Sequence, residues 1–124
     1  MSQYIGVDII EIARIRQAIA RWGDRFLNRV YTEPELKLYH SKFSSLAARF
    51  AGKEAVMKLL GTGRTGIGWR EIETLSHPGG RPLVNLYGRA RMKAAKLGVT
   101  EVIITISHSK EYAVAFVTGE TEAE

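Results

Sequence analysis

The clearest pattern along the chain is a change of hydrophobic period. From Gln3 to Ile9 apolar side chains fall on alternate positions, with Ile5, Val7 and Ile9 on one face, which predicts a strand. Over residues 11–22 the spacing lengthens. At about 100° per residue, Ile12, Ile15, Ile19 and Trp22 fall within one arc, which predicts a helix with Arg14, Arg21 and Arg25 gathered on the opposite side. Thr32-Glu33-Pro34-Glu35 has the form of a capping box with proline in the first turn, opening a short helix to about His40. A longer helix is predicted from about Ser44 to Leu60, stopped by Gly61-Thr62-Gly63.

The second half is richer in strands. Residues 69–76 and 82–87 read as strands separated by a turn at His77-Pro78-Gly79-Gly80. Residues 88–97 favour a helix closed by Gly98, and 102–107 with 112–118 read as a hairpin. Residues 1–119 then form one α+β domain, helices early and a mostly antiparallel sheet late, with residues 120–124 an acidic, frayed tail. No internal repeat or linker interrupts it.

Composition narrows the partners rather than the fold. The 124 residues suit a single core, and 45% hydrophobic with 25% charged residues is ordinary for a globular domain. Eighteen Lys and Arg against thirteen Asp and Glu give +5, and three of the acids lie in the last five residues, so the body is the more basic part. Such a surface favours a polyanion or an acidic protein. The absence of cysteine excludes disulfides and thiolate metal sites. The start lacks a basic, then apolar, secretory signal, and no apolar run nears the roughly 18 residues of a membrane span, so a soluble intracellular protein is expected.

Some residues break the pattern. Asp8 interrupts the apolar strand Ile5 to Ile10, where a carboxylate must be paired, metal-bound, at the sheet's end, or an N-cap for the next helix. In the helix from Ser44 to Leu60 the apolar arc is Phe43, Leu46, Phe50, Met57 and Leu60. Lys53 falls inside that arc and Glu54 at its edge, with Lys58 one turn beyond Glu54. A solvated Glu54–Lys58 pair and a snorkelling Lys53 are the bland alternatives. Gly52, mid-helix, costs roughly 1 kcal/mol relative to alanine and implies a close approach of ligand or backbone, or tight packing. The glycine loop from Gly61 could offer backbone amides to phosphate, but it follows a helix rather than opening one, so a plain helix cap explains it better. His108, among hydroxyls and Lys110, is either solvated or a phosphate donor. His40 and His77 read as surface residues, and neither His-x-Glu nor Cys-x-x-Cys spacing occurs, which argues against zinc.

Gly6-Val7-Asp8 resembles the first signature of the bacterial holo-acyl-carrier-protein synthases, the small phosphopantetheinyl transferases. Phe50-Ala51-Gly52-Lys53-Glu54-Ala55-Val56-Met57-Lys58 resembles the second, an aromatic residue, then Lys-Glu-Ala, then Lys. Gly80-Arg81-Pro82 and Ile106-Ser107-His108-Ser109 are similar to later segments of that family, Arg81 standing where a lysine is common. Order and spacing agree from Tyr4 to about Val117.

The resemblance implies a fold and a reaction. The family moves 4'-phosphopantetheine from coenzyme A to a serine of apo-acyl carrier protein, leaving 3',5'-ADP, in support of fatty acid synthesis in the cytoplasm. Asp8 and Glu54 would hold Mg²⁺, a hard ion that takes one or two carboxylates plus phosphates and water. Glu54, directly or through a water, would take the serine proton. Lys58 would face phosphate, with Arg49, Lys53, Arg81 and His108 in the nucleotide pocket and Gly61, Gly63, Gly80 and Pro82 shaping its walls. The basic helix carrying Arg14, Arg21 and Arg25 would dock the acidic carrier. Family members are typically homotrimers with sites between subunits, and the resemblance implies neither nucleic acid nor membrane as partner. A basic nucleic-acid-binding domain would explain the charge but not Asp8 or Glu54, and a non-catalytic scaffold would leave Lys53-Glu54 an accident.

Overall fold

The computed structural model describes residues 4–76 and 79–122. Strand β1 (Tyr4–Glu11) leads into helix α1 (Ile12–Trp22), a short α2 (Asp24–Val30), α3 (Glu33–Tyr39) and the long α4 (Phe43–Leu60). A 3-10 turn at Trp69–Glu71 then precedes β2 (Ile72–Ser76) and β3 (Pro82–Leu86), followed by α5 (Gly88–Leu97), β4 (Val99–His108) and β5 (Tyr112–Thr121). The α+β reading holds.

Helix α4 is the hub. Rather than an amphipathic surface helix it is buried nearly all round, as a helix enclosed by its own domain must be. Its small residues Ala47, Ala48, Ala51, Gly52 and Ala55 let it lie close on a three-stranded antiparallel sheet of order β1-β5-β4. On the sheet side Gly6, Ala113 and Ala115 answer with equally small side chains, and Ile10, Val102, Ile104 and Val117 fill the rest. The crossing at Gly6 is closest. A Cβ there would come within 2.0 Å of the Ala55 carbonyl oxygen, so only glycine fits. At Gly52 a Cβ would meet the Ile104 side chain at 3.0 Å, so its reason is packing.

β2 and β3 form a separate antiparallel pair. A buried polar junction joins it to α3 and α4. Thr32 caps α3 as expected: its hydroxyl accepts from Glu35 N at 3.3 Å, and Glu35 Oε1 accepts from Thr32 N at 2.9 Å. Glu35 also accepts from Thr74 N at 2.9 Å, while the Thr32 hydroxyl donates to Glu73 Oε2 at 2.6 Å. Burial alone would push the Glu73 carboxyl up, but hydrogen bonds from Thr32, Tyr87 and Asn85 outweigh it and hold that group below its ordinary range.

Four details depart from the sequence reading. Residues 69–71 are a 3-10 turn rather than strand, because the Glu71 carboxylate binds Gly68 N at 2.8 Å and Ala90 N at 3.1 Å and folds the chain back. Helix α2 was not predicted; it starts at Gly23 with φ 54° and no capping side chain, so its onset carries no sequence mark. Glu120 and Thr121, expected in the frayed tail, instead pair with Glu101 and Val99. Trp22, assigned to the core arc of α1, is half-exposed in the last turn of that helix. Of the expected turn at 77–80, His77 and Pro78 lie outside the described residues, as does the end of the tail.

Candidate active site

Asp8 sits mid-strand on β1, on the same face as Gly6 and Ile10, turned toward α4. It is not an N-cap; α1 is preceded by Glu11, without a side-chain cap. Lys58 reaches it from the last turn of α4, donating to Asp8 Oδ1 at 2.9 Å and to the Val7 carbonyl at 3.0 Å. The simple Glu54–Lys58 pair is thus replaced by a link between helix and strand. Glu54, one turn back along α4, accepts instead from Arg64 Nη2 at 3.1 Å. The Asp8 and Glu54 side chains are only 16% and 19% exposed, so each carboxylate is part-buried rather than in open solvent. Two hard oxygen donors thus come from β1 and α4, Asp8 paired with Lys58 and Glu54 with Arg64. Among the described residues no third Asp, Glu, His or Cys joins them.

Gly61 ends α4 in the left-handed conformation, φ 76°, with Gly61 N donating to Lys58 O and Thr62 N to Met57 O. The helix-cap reading of this loop is correct. The loop then carries Gly63 and Arg64 past the Glu54 side.

A second group of expected site residues lies on the other flank of α4. Arg49 is buried, its guanidinium 3.9 Å from the centre of the Tyr39 ring. It donates to Tyr39 Oη and Ser76 Oγ at 2.9 Å each and to the Thr74 carbonyl at 3.4 Å. Among the described residues no carboxylate pairs with it. It lines a cavity of about 230 Å³ with Ser45, Ala48, Ser76, Pro82, Ile106, Ser107 and His108. A buried guanidinium facing hydroxyls and an imidazole is a favourable setting for an anion. Gly80 and Arg81 are exposed in the turn leading to Pro82.

Lys53 requires correction. It is fully buried, bound to Glu35 Oε1 at 2.8 Å, to the Trp69 carbonyl at 3.1 Å and to the Ile72 carbonyl. Its donors are spent inside the protein, so it does not reach a nucleotide. Burial pushes its ammonium group down from the usual lysine range, and Glu35 offsets only part of that.

Arg14, Arg21 and Arg25 are all exposed. The guanidinium carbons of Arg21 and Arg25 lie 5.0 and 5.8 Å from the Trp22 ring centre. Arg25 and Trp22 open onto a cavity of about 510 Å³ that Phe26, Arg29, Val30, Phe50, Arg64 and Trp69 complete. Its floor is a stack of rings, Phe26 to Phe50 at 6.4 Å and Phe50 to Trp69 at 4.8 Å. Sequence reasoning missed this cavity, and with it Arg29, Arg64 and Trp69. The charge of Arg64 was visible, but nothing in the linear order marks its partner.

A helix laid across an antiparallel sheet, with a carboxylate on each, defines a class shared with enzymes of known structure. The fold is similar to that of Helicobacter pylori holo-[acyl-carrier-protein] synthase in complex with coenzyme A, with TM-score 0.84 and 32% identity over 94% of this chain and 99% of that one. It is also similar to a Bacillus anthracis holo-(acyl-carrier-protein) synthase in complex with coenzyme A (3',5'-ADP), with TM-score 0.77 and 33% identity over 96% of each chain. In sequence it is 54% identical over 117 residues to holo-[acyl-carrier-protein] synthase of Dehalococcoides mccartyi strain CBDB1, 94% of this chain and 98% of the relative. The family model of the 4'-phosphopantetheinyl transferase superfamily matches residues 4–117, and the chain belongs to that superfamily.

Proposed function

We infer that the protein is a holo-[acyl-carrier-protein] synthase: it transfers 4'-phosphopantetheine from coenzyme A to a serine of apo-acyl carrier protein and releases 3',5'-ADP. The observation that carries this reading is a part-buried carboxylate on β1, Asp8, tied to Lys58 of α4, with the part-buried Glu54 one turn back on that helix, in a chain of this family. In the transfer the serine oxygen bonds to the β-phosphorus as the bond from that phosphorus to the 3',5'-ADP leaving group breaks. Glu54, directly or through a water, accepts the serine proton. Lys58, half-exposed beside Asp8, turns its ammonium to the phosphates.

The donor set fits Mg²⁺, because both available ligands are carboxylates and no nitrogen or sulfur ligand accompanies them among the described residues. Bound by Asp8 and Glu54, Mg²⁺ would neutralise charge on the pyrophosphate oxygens as the leaving group departs.

Arg49 and His108 suit the nucleotide phosphates, with Pro82 lining the same cavity, Gly80 and Arg81 preceding it in the chain, and Gly61 and Gly63 at the other half. These halves stand on opposite flanks of α4. Asp8 on β1 and His108 on β4 are two strand spacings apart, about 10 Å, with β5 between them. That separation suits a nucleotide held between two copies better than one enclosed by a single copy. The outer face of the same sheet is apolar and open, with Ile5, Val7 and Ile9 at 59, 52 and 63% exposed beside Phe116 and Ile103. An apolar patch of this kind marks a protein contact. Both features support a homotrimer, as the family resemblance implies, in which one copy's Asp8 and Glu54 face a neighbour's Arg49 and His108.

Arg14, Arg21 and Arg25, beside the aromatic cavity, suit an acidic carrier and would act mainly on association rate. No helix among the described residues is long and apolar enough to cross a membrane. A cytoplasmic setting agrees with the substrates. A nucleic-acid role would leave the two part-buried carboxylates without a purpose.

The direct test mixes the protein with coenzyme A, Mg²⁺ and apo carrier, and weighs the carrier by mass spectrometry. A gain of one phosphopantetheine is expected. Asp8→Asn and Glu54→Gln should each slow transfer by about 100-fold or more while remaining folded. No mass gain with any of several carriers, or near-normal rates in both variants, contradicts the assignment.

A further inference from the structure

Arg64 belongs to neither half of the nucleotide site, yet its guanidinium meets three surroundings at once. Nη2 donates to Glu54 Oε1 at 3.1 Å. The guanidinium carbon lies 5.3 Å from the centre of the Trp69 ring. The same side chain walls the aromatic cavity opposite Arg25 and Arg29. It is 68% exposed against 19% for Glu54, so the carboxylate is the fixed partner and the guanidinium the one free to turn. Its loop is built for turning direction, with Gly61, Gly63 and Gly66 at φ 76°, 56° and 82°. An ion pair this exposed is weakly held.

The cavity lining contains three guanidiniums, four aromatic rings and no acid. It fits an apolar side chain flanked by a carboxylate, the surface of an acidic partner. Arg64 alone of the three arginines also touches a carboxylate of the reacting centre.

We propose that Arg64 is a specificity residue for the carrier: it binds a carboxylate of the docked carrier and, in doing so, leaves Glu54. This rests on the transferase reading above. Leaving Glu54 costs little, because that pair is exposed, while a charge-assisted hydrogen bond to the carrier against the aromatic wall is worth more, so the exchange favours docking. Carrier docking and the release of Glu54 are then one event. Arg64 is a recognition residue for the partner and touches no reacting atom.

The test uses Arg64→Gln, an exposed loop substitution whose fold is checked by its thermal melt. Both tryptophans of the chain, Trp22 and Trp69, line this cavity, so their emission reports docking without turnover. A tryptophan-free acidic apo carrier titrated into the wild type should change that emission. In Arg64→Gln the carrier Kd and the carrier KM should both rise about tenfold, the scale of one charge-assisted hydrogen bond. At saturating carrier kcat should not fall, and KM for coenzyme A should hold. A fall in kcat with carrier Kd and KM unchanged would show that Arg64 only orients Glu54, and overturns the proposal. So does a carrier Kd and KM equal to wild type, or a rise confined to the KM for coenzyme A. Wild-type protein that transfers nothing to any carrier would instead overturn the transferase reading itself, and this proposal with it.

Discussion

At Gly6 one hydrogen atom decides whether β1 can lie on α4. The 2.0 Å approach that a Cβ would make to the Ala55 carbonyl is to backbone, which has no rotamer with which to yield. Gly6→Ala should therefore cost about 3 kcal/mol or more, at the upper end of core overpacking, measured by urea unfolding. Unchanged stability would mean that strand and helix separate more readily than this contact allows. Asp8 and Glu54 were legible in the sequence because a carboxylate in an apolar strand, and another at the edge of an apolar arc, have to be explained. Their partners were not. A helical wheel shows that Lys53 points inward, but only the fold shows that Glu35 and two carbonyls meet it there. The same limit hid Arg64, which lies ten residues from Glu54 in sequence across a glycine turn.

At the scale of elements, the Lys53–Glu35 pair fastens α4 to α3, to the 3-10 turn and to β2. Removing one member of a buried pair leaves the other charged and alone, which costs about 3–5 kcal/mol. Lys53→Met should lower the free energy of unfolding by that amount in urea titration, while its folded protein binds coenzyme A with wild-type affinity in calorimetry. Full stability with weakened coenzyme A binding would return Lys53 to the nucleotide pocket. The elements themselves were mostly readable: the capping box at Thr32, the glycine ends of α4 and α5, and the β4–β5 hairpin all stand where pattern put them. What pattern missed were features made by tertiary contact. Glu71 draws the chain into a turn with hydrogen bonds to Gly68 and Ala90, and α2 begins at an uncapped glycine.

For the whole molecule the decisive fact is that the expected nucleotide residues divide between two flanks of α4. Sequence order could not reveal this, since Arg49 and Glu54 are five residues apart on one helix yet face different sides. If neighbouring copies complete each other, two crippled variants should rescue one another. Asp8→Asn and the double variant Arg49→Gln with His108→Ala, each nearly inactive alone, should regain about a quarter of wild-type activity when co-expressed at equal levels, the share of clefts built from two intact halves. Failure to recover, with mixed assemblies verified by native mass spectrometry, would place the whole site within one copy. The order of the sheet carries a separate consequence. β1 and β4 each pair only with β5, which follows both in the chain. During synthesis at about 5–20 residues per second, the strand bearing Asp8 waits without a sheet neighbour until nearly everything else has left the ribosome. A nascent chain halted before Tyr112 would hold Asp8, Glu54 and Lys58 and still lack the strand that aligns β1.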